Sequence, residues 1–352
     1  MADAHRHVQV PGLSLIETQS LRARFGGPVA FLEPARVWSR TVKRVLALCV
    51  IAASLSVASA APTQSARPPA LLTYSVVYGS GSGGGLCLAR SDGSRRLRLT
   101  GRNHDRAASW SPNGRFVVFA RGTPGSRNVR LLVANARGRV VRTLEPAGAN
   151  ADPAWSPDGS RIAYVEQPRQ ITVAHATTGR VLARIETAQG LLSRPSWSPD
   201  SRRIAYAEHV DIDAGDQAGS SRIAVVNADG RGTRILIGQA SDPAWSPNGT
   251  RLAYIAYPSR FAETGDLAVA NADGSAARML MSTPEAESRP AWSPNGRLIA
   301  FARGTGSASA LLVVPAAGGA ERVLVRPRVY GALDPAWRRP VLLPKVRRRA
   351  CS

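Results

Sequence analysis

The sequence predicts an all-β fold, a six-bladed β-propeller of four-stranded antiparallel blades in which the C-terminal strand pairs with the N-terminal blade. Three observations predict it. The string Trp-Ser-Pro, followed by Asp or Asn and then Gly or Ser, begins at Trp110, Trp155, Trp197, Trp245 and Trp292, and a truncated sixth copy begins at Trp337. The intervals between copies are 45, 42, 48, 47 and 45 residues. Each interval carries four short apolar runs, and a repeat of that length and content is the signature of a propeller blade.

Ahead of the repeats, Arg40, Lys43 and Arg44 precede a run from Val45 to Val57 that is apolar apart from two serines, and Ala58-Ser59-Ala60 follows. A charged flank, an apolar stretch and a small-x-small site describe a secretory signal peptide over residues 42–60, cleaved near Ala60. An uncleaved anchor is the alternative, but the run is short for a bilayer span. Even then the positive flank would stay inside and the repeats outside. Cys49 does not fit a lipoprotein cysteine, because Leu48 stands where a small residue is needed. Residues 1–41 show no periodicity and fit a start codon assigned too far upstream, with Val42 as initiator. Residues 61–70 are then a linker, 71–338 the propeller and 339–352 a basic tail.

One unit, from Asp152 to Glu186, shows how a blade is written. Pro153-Ala154-Trp155 is a short first strand. In the turn Ser156-Pro157-Asp158-Gly159, Pro fixes φ and Gly supplies a positive φ. Ile162–Val165, Ile171–Ala174 and Val181–Ile185 are the next three strands. The second and third are apolar at consecutive positions, as strands covered on both faces are. An aromatic recurs nine residues beyond each Trp, as Phe119, Tyr164, Tyr206, Tyr254 and Phe301, with Tyr78 as the expected counterpart in the first unit. These rings and the Trp series read as core between blades rather than as a stacking platform for bases or sugars. Ser201 takes the Gly position of its turn, a departure that costs about 1 kcal/mol locally.

The first and last units each lack what the other holds. Residues 71–100 carry a second, third and fourth strand without a Trp start. Asp334-Pro335-Ala336-Trp337 is a first strand followed by Arg338-Arg339-Pro340 where the turn should be. The C-terminal strand is therefore expected to complete the N-terminal blade from the inside, leaving no long exposed edge. That closure brings Cys87 and the tail holding Cys351 to one blade. An even pair in an exported protein can form a disulfide; the alternative is one buried thiol and one thiol in a frayed tail.

Trp155-Ser-Pro-Asp-Gly, Trp245-Ser-Pro-Asn-Gly and their sisters, with turns such as Asn227-Ala228-Asp229-Gly230 and Asn271-Ala272-Asp273-Gly274, resemble the TolB-type propeller repeat, a relative of the WD-type repeats. The resemblance covers residues 71–337. It implies a propeller that holds partners at its channel mouth. The family's founding protein carries a separate α/β domain before the propeller. That domain is expected to be absent here, since about ten residues separate Ala60 from the first strand, and its docking role is not carried over.

The net charge of +22 comes from 46 Lys and Arg against 24 Asp and Glu, and all the basic residues but Lys43 and Lys345 are Arg. Such a bias fits a GC-rich genome, and the charges lie scattered among acidic residues along the chain. Nucleic-acid binders cluster charge and interleave stacking aromatics, so no nucleic-acid partner is expected. With an innermost Trp strand, the residue three before each Trp lies near one channel mouth: Ala107, Asp152, Arg194, Asp242, Arg289 and Asp334, alternating in sign apart from the first. Loops starting at Arg121, Glu166, Glu208 and Arg303 open on the same side. Either these groups form salt bridges between blades, or they orient a ligand. Arg289 and Arg303, with no acid at the equivalent positions of their blade, are the expected anion contact.

Other chemistry finds little support. Asp211, Asp213 and Asp216 resemble a calcium loop, but Gly215 and Asp216 are in the wrong order and the terminal Glu is missing. His104, His175 and His209 cannot all converge, so neither metal nor cofactor is expected. No Gly-x-Ser-x-Gly elbow with a downstream His is present. The sequence reading is an exported, non-catalytic binding or scaffolding propeller of the bacterial cell envelope, with a protein or glycan partner and no membrane span in the mature chain. An envelope enzyme of the polysaccharide-lyase or hydrolase type is the alternative.

Overall fold

The computed structural model describes residues 70–78, 84–101, 104–122, 129–144, 152–188, 190–210, 220–259, 262–326, 330–339 and 351. The chain divides into two compact units, Met1–Ser65 and Ala66–Ser352, and the described residues belong to the second. The signal peptide, the Asp211–Asp216 loop and the basic cluster of the tail lie outside the described residues.

Six four-stranded antiparallel sheets form the blades. The first holds β1 (Leu71–Tyr78), β2 (Leu86–Arg90) and β3 (Leu97–Arg98). The second holds β4 (Asp105–Trp110), β5 (Phe116–Arg121), β6 (Arg130–Asn135) and β7 (Val140–Leu144). The third holds β8 (Ala154–Trp155), β9 (Arg161–Gln167), β10 (Gln170–His175) and β11 (Val181–Glu186). The fourth holds β12 (Gly190–Trp197), β13 (Arg203–Val210), β14 (Ser220–Asn227) and β15 (Arg234–Gly238). The fifth holds β16 (Ala240–Trp245), β17 (Arg251–Ala256), β18 (Asp266–Asn271) and β19 (Arg278–Met279). The sixth holds β20 (Glu287–Trp292), β21 (Leu298–Arg303), β22 (Ala310–Pro315) and β23 (Arg322–Val325). The last strand, β24 (Tyr330–Arg338), returns to pair antiparallel with β1 and completes the first blade, as the sequence predicted.

Consecutive apolar residues in the middle strands serve two interfaces at once. Val117 and Phe119 of β5 pack toward the first blade with Leu86, Leu88 and Leu99, while Val118 and Ala120 pack toward the third blade with Ile162 and Tyr164. The core is accordingly six separate clusters, one between each pair of neighbouring blades, each with one Trp and one recurring aromatic ring. In the first blade that ring is Tyr74, not Tyr78. Trp337 pairs with Leu72, whereas Trp110 pairs with Val117, so Tyr74 is the residue level with Phe119. Leu-Leu-Thr-Tyr and Ser-Val-Val-Tyr are both mostly apolar and both end in tyrosine, and the partner strand selects between them.

Four of the six repeat Trp indoles join blades by hydrogen bonding as well as by area. The indole N–H of Trp197 donates to the Ala154 carbonyl, Trp292 to Ala244 and Trp337 to Ala291, at 3.0, 3.0 and 2.9 Å. The adjacent Ser is buried because its hydroxyl organises the turn. Ser156 Oγ accepts from the Arg161 N–H at 2.9 Å and donates to Asp158 Oδ1 at 2.6 Å, and the other four turns repeat the pattern. Ser201 does sit at positive φ, +58°. Its hydroxyl and carbonyl accept from the Asp158 N–H and from Arg161 Nη2, bonds that offset the strain from the blade before.

The broken sixth turn is a latch. Arg338 is fully buried; its Nε and Nη2 donate to the Gly114 carbonyl of the second blade at 2.9 and 2.7 Å, and its Cζ lies 4.6 Å from the Trp110 ring centre. Cys87 of β2 and Cys351 are joined as a disulfide with a Cα–Cα distance of 6.1 Å. Strand, arginine and disulfide all fasten the C-terminal end to the first two blades. Removing Arg338 leaves a buried carbonyl without its donors and a void beside Trp110, so Arg338→Ala is expected to lower stability by about 2–4 kcal/mol. Cutting a cross-link that spans 264 residues removes up to about 5 kcal/mol in the chain-entropy description. In urea titrations Cys351→Ser and the reduced wild type should therefore unfold together, both well below the oxidised protein.

Candidate functional site

The innermost strand of five of the six blades carries a β-bulge. On β12, Ser193 pairs with Ala207 and Ser196 with Ala205, so one extra residue is accommodated at Arg194-Pro195. The same slip occurs on β4, β16, β20 and β24. It puts Ala107, Arg194, Asp242, Arg289 and Asp334 at φ between +50° and +58°, the left-handed region that L-residues rarely enter. A bulge redirects its side chain, and here the redirected chains meet across the channel. Pro follows in four of these five bulges, a residue with no N–H to lose where the ladder is interrupted.

Aspartates and arginines alternate for a reason visible in the backbone. The carboxylate of one blade accepts the N–H of the next blade's bulge residue: Asp242 Oδ2 from Arg289 at 2.7 Å, Asp334 Oδ2 from Ala107 at 3.1 Å, and Asp152 Oδ2 from Arg194 at 3.4 Å. The arginines then supply the countercharge. Arg289 Nη1 bonds Asp334 Oδ1 of its neighbouring blade. Arg194 reaches three carboxylates: Asp152 at 3.5 Å, Asp242 at 3.8 Å and, across the channel, Asp334 at 3.0 Å. Ser75 completes the shell of Asp334 at 2.9 Å.

Five of the six residues expected at the mouth, Asp152, Arg194, Asp242, Arg289 and Asp334, are thus brought together. The sixth, Arg303, is not. Its guanidinium is occupied by Glu287 and Glu321, with Glu285 3.9 Å away. The anion contact expected of Arg289 and Arg303 falls on two guanidiniums that are paired with carboxylates. Each already holds a carboxylate, because acids distant in sequence arrive from adjoining strands. Arg121 with Asp105, and Glu208 with Arg222, likewise form pairs within their own blades.

Arg106 was missed by the sequence reading. It precedes Ala107, the position where the alternation lacks its third arginine, and its charge couples to Asp152 and Asp334. Burial lowers its pKa, opposed by those two carboxylates and reinforced by the nearby Arg289 and Arg194. The signal available in sequence was the Ala at the one bulge with a basic residue beside it.

The ring forms a septum rather than a rim, since it lines two cavities. On the Trp-Ser-Pro side lies a space of 370 Å³ bounded by the Trp strands and turn prolines. On the other side lies one of 590 Å³, walled by Leu191, Leu192, Leu333, Ser193, Ser288 and His209 and edged by Gly304-Thr305-Gly306. His209 is held between Ser193 Oγ at 2.9 Å and Ser221 Oγ at 2.7 Å. His175 accepts from Thr177 and Thr178 in a turn at the opposite end of its blade. Among the described residues no three His, Cys, Asp or Glu side chains gather so as to hold a metal ion. Nor is any helix among them long and apolar enough to cross a membrane.

Residues 145–341 match the TolB beta propeller domain family. The chain belongs to that family. It is 41% identical over 68 residues to Tol-Pal system protein TolB 1 of Novosphingobium aromaticivorans, and 35% identical over 77 residues to Tol-Pal system protein TolB of Rhizorhabdus wittichii. These matches span 19% and 22% of this chain, and only 15% and 18% of the length of those relatives. The crystal structure of TolB from Acinetobacter baumannii superposes with a TM-score of 0.64 at 17% identity, covering 76% of this chain and 66% of that one. A chain of a nidogen/laminin complex gives 0.55 at 13% identity, covering 76% and 98%. At such identities the likeness is one of fold alone.

Burial alone would raise the Asp334 carboxyl, but the charges of Arg289 and Arg194 outweigh it and hold the group well below the usual carboxylate range. Burial would lower Arg194; Asp152, Asp334 and Asp242 hold it above its ordinary value instead. A depressed carboxyl contributes stability that is complete above its unfolded pKa of about 4 and is lost as pH falls from there toward the folded value. Asp334→Asn should cost about 2 kcal/mol at neutral pH, because it removes the carboxylate paired with the half-buried Arg289 and one of the three around Arg194. Below pH ~4 its unfolding midpoint should fall less steeply than that of the wild type, and urea titrations across that range check both points.

Proposed function

We propose that this protein is an exported, non-catalytic binding propeller of the cell envelope that receives a protein or glycan partner in the 590 Å³ cavity above the charged septum. The observation that carries the reading is the state of the septum. Its carboxylates and guanidiniums satisfy one another, and Asp334 and Arg194 are each pushed away from neutrality. General acid–base chemistry needs groups poised near the working pH, so this floor suits orientation and not proton transfer. The cavity wall mixes leucines with Ser, Thr and His, the composition of a pocket that buries an apolar segment and fixes it by a few polar contacts.

The enzyme alternative would need a base. Among the described residues the serine–histidine contact facing this cavity is Ser193 with His209, whose second ring nitrogen lies 2.7 Å from Ser221 Oγ. Export through the segment 42–60 and the likeness to relatives named for the Tol-Pal system support an envelope partner.

Capture from envelope extract should retain a specific partner on the mature wild type, whose first residue should be Ala61. Thr305→Trp, which narrows the cavity entrance, should reduce that capture at least tenfold without changing the fold. Retention unaffected by Thr305→Trp, or turnover of a polysaccharide that Ser193→Ala abolishes, would overturn the reading.

A further inference from the structure

The arginines that look scattered along the chain are gathered in space. Every blade has two turns at the Trp-Ser-Pro end: the Ser-Pro-Asx-Gly turn, or in the first blade its Arg338 replacement, and the turn joining the third and fourth strands. Each Ser-Pro-Asx-Gly turn runs into arginine, through Arg115, Arg161, Arg202, Arg251 and Arg297. The outer turns do the same in all six blades, as at Arg139, Arg180 and Arg231. Some of these side chains have structural employment. Arg161 and Arg203 lie over Trp197 and Trp245, and Arg278 and Arg322 bond carbonyls of neighbouring blades. Arg115, Arg139, Arg202, Arg231, Arg251 and Arg297 are exposed, and no carboxylate among the described residues lies within ion-pair distance of them.

The acids of this face do not balance them. They are turn formers such as Asp158, Asp200 and Asp273, with carboxylates already accepting backbone N–H groups. The opposite face is different. Among the described residues there, exposed Arg130, Arg169 and Arg326 are matched by exposed Glu186, Glu263 and Glu285.

A second observation falls on the same end of the ring. Among the described residues the exposed large apolar side chains are Phe116, Val140, Val141, Leu182, Ile235 and Met279. Each follows a turn arginine by one or two residues: Phe116 follows Arg115, Ile235 follows Arg234 and Met279 follows Arg278. An end of the ring on which exposed turn arginines stand one or two residues from exposed apolar side chains matches the headgroup region of an anionic bilayer. Guanidinium pairs with phosphate in bidentate fashion, and apolar side chains enter the acyl boundary. A nucleic acid would ask for stacking rings or a groove that tracks a strand, and the six repeat tryptophans are packed between blades.

We propose that the Trp-Ser-Pro face of the ring docks on anionic phospholipid membranes, leaving the 590 Å³ cavity pointing away from the lipid. The proposal stands independently of what that cavity binds.

Sedimentation of the mature protein with vesicles tests it. Binding is expected to phosphatidylcholine vesicles containing about 30% phosphatidylglycerol and not to phosphatidylcholine alone, and to fall sharply at ~0.5 M salt. The quadruple variant R115Q/R202Q/R251Q/R297Q should bind at least a hundredfold more weakly, since each surface arginine is worth roughly fivefold. Leu182→Ser with Ile235→Ser should weaken binding further at high salt, where the apolar contribution dominates. The matched set R130Q/R169Q/R326Q on the other face should leave binding unchanged, and circular dichroism reports whether each variant is folded. Equal binding to both vesicle types, equal loss in the two arginine sets, or capture by duplex DNA or polyphosphate with no preference for the anionic vesicles would overturn it.

Discussion

Everything in this molecule depends on closing the ring. Strands that are apolar on both faces cannot stand alone in water, because each blade is covered only by its two neighbours. The six core clusters therefore exist only as a circuit, and the circuit is completed by β24 returning to β1. Trp337 and Arg338 are the two residues that carry this closure sideways. The indole bonds back to the sixth blade, and the guanidinium bonds forward to the second. The disulfide from Cys351 to Cys87 ties the same blade from its outer side.

Closure also creates the septum. Bulges on the innermost strands aim their side chains inward at positive φ, a conformation that costs about 1 kcal/mol or more per non-glycine residue. Carboxylates of alternate blades hold the exposed N–H groups, and Arg194 spans the channel to tie three of those carboxylates together. The consequence is a stiff, charge-balanced floor between two cavities of unlike lining. A floor of this kind positions what sits on it and exchanges protons poorly, and the proposed binding role rests on that.

Much of the architecture was legible because the Trp-Ser-Pro string is at once a turn, a hydrogen-bonded serine and an interface wedge, so one motif reports three levels of structure. The register of the first blade was not, since two tyrosine-ended runs compete and only pairing with Trp337 separates them. The ring residues were legible by counting back from each Trp, but their partners were not. Arg303 looked unopposed until Glu321 arrived from a later hairpin, and Arg106 has no marker except the alanine beside it. The Arg338-Arg339 pair read as a missing turn, whereas the burial of Arg338 is the reason no turn is needed. Charge distribution is the clearest case. The arginine after each turn is periodic in sequence, yet only the stacking of blades shows that all these positions share one face.

The most direct test of closure is hydrogen exchange on a chain ending before Tyr330, compared with the full-length protein. Without β24 the account predicts that protection collapses throughout, including in β13, β14, β17 and β18, which are remote in sequence from both ends. Full protection retained in those four strands, with loss confined to the first blade, would contradict it.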